Sequence, residues 1–219
     1  MQLQSKTSRT ASSAKLPGKR ERAKMANREA ILDAARLVFA ELGYDATTVR
    51  DIIRRTELAS GTFYNYFKSK EEIIEALAES SVKEIGRLLR ELPREDMSFK
   101  DYLHGAFGAY FKFLADKHTD VFKLNRPQLD VPELRVDTPE MRAVYLEIRK
   151  DIETVLKSEG SPDIDVTYLT ASAIGIAREL GDCMLERISS DPSNPEAQVD
   201  QATQFATNLV LCGVRHAFD

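Results

Sequence analysis

The chain contains no tryptophan, only two cysteines and only three histidines in 219 residues. Cys183 and Cys212 lie far apart in helix-like sequence. Both read as small buried hydrophobes in preference to a disulfide or a metal site. His104, His118 and His216 fall in separate segments. None has a cysteine or carboxylate at metal-ligand spacing, so no metal site is expected. No stretch reaches the roughly 18 consecutive apolar residues of a membrane-spanning helix. The N-terminus lacks the apolar run of a signal peptide, so the expected location is cytoplasmic. There is no glycine-rich phosphate loop, dinucleotide fingerprint or nucleophile elbow. Nothing therefore supports an enzyme, and no cofactor is expected. A strand period and an internal repeat are also missing.

What remains is an ordinary globular composition, 42% hydrophobic and 30% charged, long enough for one large domain or two small ones. The net charge of −4 conceals an asymmetry. Through Lys70 there are 14 Lys and Arg against 7 Asp and Glu, or +7; beyond it there are 17 against 28, or −11. A basic first third joined to an acidic remainder points to a segment that meets a polyanion.

Residues 1–22 are polar, rich in Ser, Thr, Lys and Arg, and bury too little to order themselves. They read as a flexible tail, either an inert extension or a basic arm for phosphates or a minor groove. From Arg22 to Leu42, Ile31, Ala34, Ala35, Val38, Phe39 and Leu42 recur at helical spacing, and Gly43 stops the helix. Thr47 or Thr48 caps a short second helix holding Val49, Ile52 and Ile53. After a turn at Glu57-Leu58-Ala59, Ser60 is expected to cap a third helix reaching about Phe67. Ser69 caps a fourth, with Glu71 and Glu72 in its first turn, ending near Leu92 before Pro93. Further helices are predicted from Ser98 to Lys117, Pro139 to about Ser158, Ile164 to Ser189 and Pro195 to about Ala217. The stretch 119–137 is broken by Pro127 and Pro132.

The segment SGTFYNYFKSK, residues 60–70, carries four aromatics. At about 100° per residue, Phe63 and Phe67 share one face and should pack on Ile31, Val38, Ile52 and Ile53. Asn65 points away from that face, with Gly61, Lys68 and Ser69 near it and Thr62 further round. Tyr64 and Tyr66 fall on opposite shoulders, rings inward and hydroxyls outward. Two short helices joined by a tight turn match a helix-turn-helix whose second helix enters a major groove. Each residue type suits DNA. Gly61 allows close approach at a helix start whose N–H groups favour phosphate. Asn65 pairs with a base edge, adenine by preference. Thr62, Tyr64 and Tyr66 donate to phosphates, and Lys68 and Lys70 add a salt-dependent term. Arg50 reaches a guanine or a phosphate.

The run TTVRDIIRRTELASGTFYNYFKSKEEII, residues 47–74, with REAILDAARLVFAELGYDATT before it, resembles the DNA-binding domain of the tetracycline-repressor (TetR) family over about a quarter of the chain. The resemblance implies an all-α homodimer with a three-helix, helix-turn-helix head and a helical body that binds ligand and dimerises. It implies a fourth helix linking the two parts, a four-helix dimer interface from the last two helices, and a ligand that moves the fourth helix and releases a palindromic operator. By matching position it gives DNA contacts to Thr48, Arg50, Ser60, Gly61, Thr62, Tyr64, Asn65, Tyr66 and Lys70. The expected division is tail 1–22, head 23–70 and body 71–219. The alternatives are a helical protein-interaction module, which leaves the basic first third unexplained, and a regulator whose ligand promotes DNA binding.

In the body, Ala171, Ala173, Gly175, Ala177 and Gly181 let another backbone approach. With Ala202, Phe205, Ala206, Leu209, Val210, Gly213 and Val214 they form a candidate dimer interface, with intrachain core as the alternative. Leu103, Phe107, Tyr110, Phe111 and Leu114 form a candidate pocket lining for a hydrophobic or amphipathic effector, such as a lipid-like or acyl-thioester molecule. Candidate polar anchors are His104, Tyr110, Arg126, Tyr145, Arg178, Glu179 and Asp182. For the group around Arg178, an interface salt bridge competes with ligand anchoring.

Overall fold

The computed structural model describes residues 18–93, 97–118, 136–160 and 164–216, with side chains through Val214. Among them are eight helices and no strand: α1 Lys19–Leu42, α2 Val49–Arg55, α3 Ser60–Phe63, α4 Lys70–Arg90, α5 Phe99–Lys117, α6 Pro139–Ser158, α7 Val166–Ser190 and α8 Pro195–His216. The all-α expectation holds. Residues 1–17, and with them most of the expected tail, lie outside the described residues, as does most of 119–137. The first helix begins at Lys19, earlier than the apolar spacing indicated, because Glu21 reaches back to the Gly18 N–H at 3.1 Å and caps the start. Gly43 ends it at φ +82°, a conformation that favours glycine, with its N–H on the Phe39 carbonyl.

The first four helices close around one cluster. Ile31, Leu32, Val38 and Phe39 of α1 meet Ile52 of α2, Phe63 and Phe67 of the α3 region, and Ile73, Ile74 and Leu77 of α4. α2 is too short to hold itself by propensity. It is fixed by a capping box, in which the Asp51 N–H donates to the Thr48 hydroxyl oxygen at 3.3 Å and the Thr48 N–H to the Asp51 carboxylate at 3.0 Å. The Thr48 hydroxyl, followed by the Thr48 backbone, holds the Asp51 carboxyl below its ordinary range.

Two details of α3 differ from expectation. Ala59, at φ −64° and ψ 144°, takes the N-cap position, so Ser60 is the first helical residue and caps nothing. The regular helix also stops at Phe63. Asn65 and Tyr66 then donate to the carbonyls three residues back, Thr62 and Phe63, at 3.1 and 2.9 Å. This tighter winding brings Phe67 inward, where it is 4% exposed.

α4 leaves the head and enters a second cluster. Its Ile85 and Leu89 pack with Tyr102, Leu103, Phe107, Phe111 and Leu114 of α5, Ile152 and Leu156 of α6, Leu185 and Ile188 of α7, and Ala206 and Val210 of α8. α5 lies at the centre, packed most extensively on α8. A Cβ on Gly181 would lie 2.6 Å from Leu114 Cδ1, so glycine is what allows α5 and α7 to approach here.

The small residues expected together at a dimer interface divide between two faces. Ala173, Gly181, Ala206 and Val210 are buried within the chain, and Ala177, Ala202 and Val214 pack against the same core. Ala171, Gly175, Phe205, Leu209 and Gly213 face outward. The cysteines also differ from expectation, since Cys183 and Cys212 are both exposed on α7 and α8. Helical pattern alone does not say which of two apolar faces meets the chain's own core.

Two stability results follow. Phe63→Ala empties the centre of the head cluster and is expected to cost about 3–5 kcal/mol in urea unfolding followed by circular dichroism. The stabilising contribution of Asp51 is present above the ordinary carboxylate pKa and is lost as pH falls through its depressed folded value. The stability gap between wild type and Asp51→Asn should therefore narrow on acidification, and a gap independent of pH would contradict that role.

Candidate nucleic-acid interface and effector cavity

On the outer side of the head, Thr48, Arg50, Ser60, Gly61, Tyr64, Asn65 and Lys68 are exposed, and Thr62 and Tyr66 are half-buried. Phe63 and Phe67 turn inward, so the expected division of the four aromatics is what the geometry shows. Tyr64 is 55% exposed and meets the Phe63 ring edge-on, with centroids 5.5 Å apart. Tyr66 packs against the head core, and its hydroxyl oxygen accepts from Asn27 Nδ2 at 3.2 Å. The hydroxyl proton of Tyr66 stays available to a phosphate, with Asn27 fixing its direction. Asn27 was not legible as a site residue because it lies on α1, 39 positions away.

Lys70 does something other than the electrostatic role expected of it. Its Nζ donates to the carbonyls of Tyr44 and Asp45 at 2.9 and 3.1 Å and sits 4.5 Å from the centre of the Tyr44 ring. Burial, and then the charge of Glu71, pushes the Tyr44 hydroxyl above its ordinary pKa. The first turn of α4 is thereby clamped to the loop between α1 and α2. The ammonium is engaged because the chain reversal after Gly43 turns both carbonyls toward it, the Tyr44 carbonyl accepting from the Thr47 N–H as well.

The body holds a cavity of about 490 Å³ between α4, α5, α6 and α7. Ile85 and Leu89 of α4, Leu103, Phe107 and Tyr110 of α5, Met141, Val144, Tyr145 and Ile148 of α6, and Ile174 and Arg178 of α7 line it. Of the candidate residues, Leu103, Phe107, Tyr110, Tyr145 and Arg178 reach the cavity. Phe111 and Leu114 do not, since both are buried in the core, Leu114 against Gly181. His104 is exposed on α5 and does not line the cavity. Glu179 is exposed and Asp182 half-buried, and neither lines the cavity. Arg126 lies outside the described residues.

Apart from Tyr145, the contribution of α6, and that of Val136 and Asp137 just before it, was missed in the sequence. Val136 both lines the cavity and packs against the head cluster. No group of His, Cys, Asp and Glu arranged to hold a metal occurs among the described residues, and none of their helices is long and apolar enough to cross a membrane.

A sequence profile described as bacterial regulatory proteins, tetR family, matches residues 31–77, which are the helix-turn-helix and its supports. The HTH-type transcriptional repressor KstR2 of Mycolicibacterium smegmatis is 30% identical over 147 residues, covering 64% of this chain and 70% of that protein. The chain belongs to the tetR family. It is a DNA-binding transcriptional regulator rather than an enzyme. The tetR-family fold extends through the body: the fatty acid degradation regulator FadR of Bacillus halodurans superposes with a TM-score of 0.65 at 22% identity, over 92% of this chain and 100% of that one. The FadR of Bacillus subtilis, solved in complex with stearoyl-CoA, superposes with a TM-score of 0.61 at 20% identity, over 83% and 96%.

For this tetR-family head, the two lysines of SGTFYNYFKSK are expected to separate experimentally. Lys68→Met should lower the salt slope of DNA binding by about 1 and leave stability unchanged. Lys70→Met should leave the slope in place and lower head stability by about 1–3 kcal/mol. Equal slope losses for the two variants would show that Lys70 leaves its clamp to meet DNA.

Proposed function

We propose that this regulator is a homodimeric repressor whose two heads bind a palindromic operator and are released when a hydrophobic or amphipathic effector fills the α4–α5–α6–α7 cavity. The observation that carries this reading is the double membership of α4. Ile73, Ile74 and Leu77 belong to the head core, and Ile85 and Leu89, further along the same helix, line the cavity. A ligand pressing on Ile85 and Leu89 acts on the same rigid rod that holds α3. Val136 supplies a second contact between cavity and head.

The dimer reading rests on an outward apolar stripe. Tyr168 on α7 is 75% exposed, and Phe205 and Leu209 on α8 are 57% and 47% exposed, with Gly175, Cys183, Cys212 and Gly213 on the same two helices. Pairing this stripe with its copy makes a four-helix interface and removes two thiols from water. On the head, Asn65 reads a base edge. Ser60, Thr62, Tyr64 and Tyr66 donate to phosphates, Thr48 holds the start of α2 with its hydroxyl donated to Asp51, Gly61 lets the backbone approach, and Arg50 and Lys68 add charge. The mainly apolar cavity wall suits an acyl chain, in keeping with the stearoyl-CoA held by the Bacillus subtilis FadR.

The test is a titration of palindromic duplexes from the DNA upstream of the regulator's own gene, at two salt concentrations. Saturable, sequence-dependent binding by a dimer is expected. Asn65→Ala should relax preference at one base pair, at about 1–3 kcal/mol, while Tyr66→Phe should weaken all sequences alike. Sequence preference untouched by Asn65→Ala would remove its reading role. A monomer in sedimentation at micromolar concentration would refute the dimer.

A further inference from the structure

We propose that the effector carries an anionic oxygen group and that Arg178 is the residue that binds it. This deepens the effector reading above and rests on it. Among the described residues that line the cavity, only Asp137 and Arg178 are charged. Asp137 already has its partner: Arg142 donates to it through Nε at 2.9 Å and Nη2 at 2.6 Å. The Tyr145 hydroxyl on the cavity wall is also engaged, donating to the Thr167 carbonyl at 3.3 Å. Arg178 is half-buried and makes no ion pair with any described residue, its helix neighbours Glu179 and Asp182 included. Among the described residues the cavity thus presents a mainly apolar wall and one positive charge without an ion-pair partner.

That arrangement has a cost and a use. A guanidinium partly withdrawn from water on a mainly apolar cavity wall loses hydration that no described residue replaces. A ligand carboxylate or phosphate restores it with two parallel hydrogen bonds in the fork geometry of arginine. A neutral ligand of the same shape leaves the guanidinium unpaired. The occupant is therefore a chain-like molecule with its apolar part among Leu89, Leu103, Val144 and Ile148 and an acidic head toward α7. The acidic oxygen belongs either to a free carboxylate or to the phosphates of an acyl thioester.

The test is isothermal calorimetry on the full chain with dodecanoate, dodecanoyl-CoA and dodecyl alcohol, with sedimentation of each variant in parallel. Wild type should bind at least one anion about tenfold or more tighter than the alcohol. Arg178→Met should abolish that preference, keep the affinity for the alcohol and stay dimeric. Arg178→Lys should recover part of the preference. The anion whose affinity depends on Arg178 identifies the source, carboxylate or phosphate. Unchanged anion preference in Arg178→Met overturns the assignment. Loss of the dimer together with loss of all three ligands also overturns it, by showing Arg178 to be structural. Failure of wild type to bind any of the three removes the effector reading itself, and this inference with it.

Discussion

One helix anchored in two cores is the constraint on which the rest depends. α4 has 21 residues, which at 1.5 Å per residue spans about 31 Å. Its first half is sealed into the head by Ile73, Ile74 and Leu77, and its second half into the body by Ile85 and Leu89. Close-packed interiors do not deform smoothly, so neither end moves without its surroundings. The clamp at its start, Lys70 on the carbonyls of Tyr44 and Asp45, extends that rigidity to the loop that introduces α2. A change at Leu89 thus has a continuous path of packed atoms to the helix-turn-helix.

The head divides its labour between affinity for itself and affinity for DNA. Phe63 and Phe67 hold a recognition segment that contains only one regular turn of helix and lacks a side-chain cap of its own. Once those rings are fixed, Tyr64 and Asn65 have no place except outward. The body separates its roles in a similar way. On α7, one face joins the core through Ala173 and Gly181, another meets the cavity through Ile174 and Arg178, and a third exposes Tyr168 and Cys183.

Helix positions were legible because periodicity, caps and prolines are local. Thr48, Ser69, Ser98 and Thr138 each accept from a backbone N–H of the first turn of the helix that follows. The inward and outward split of SGTFYNYFKSK was legible for the same reason. What the sequence concealed is non-local. The Asn27–Tyr66 bond, the capture of Lys70 by two carbonyls and the placement of Val136 between head and cavity all join distant segments. Leu114 and Phe111 look identical in pattern to Phe107 and Leu103. Only the approach of Gly181 shows that Leu114 faces α7 rather than the cavity. The exposed cysteines were misread because an outward apolar stripe has the same period as one that faces the core.

The central claim is that filling the cavity repositions the heads. It is tested most directly by the distance between two nitroxide labels, one per protomer, attached at Glu57→Cys in a Cys183→Ser, Cys212→Ser background and measured by pulsed electron resonance. The account predicts one distance distribution on operator DNA and a shifted, narrowed one when dodecanoyl-CoA saturates the cavity. A distribution identical with the cavity empty and demonstrably filled would contradict it.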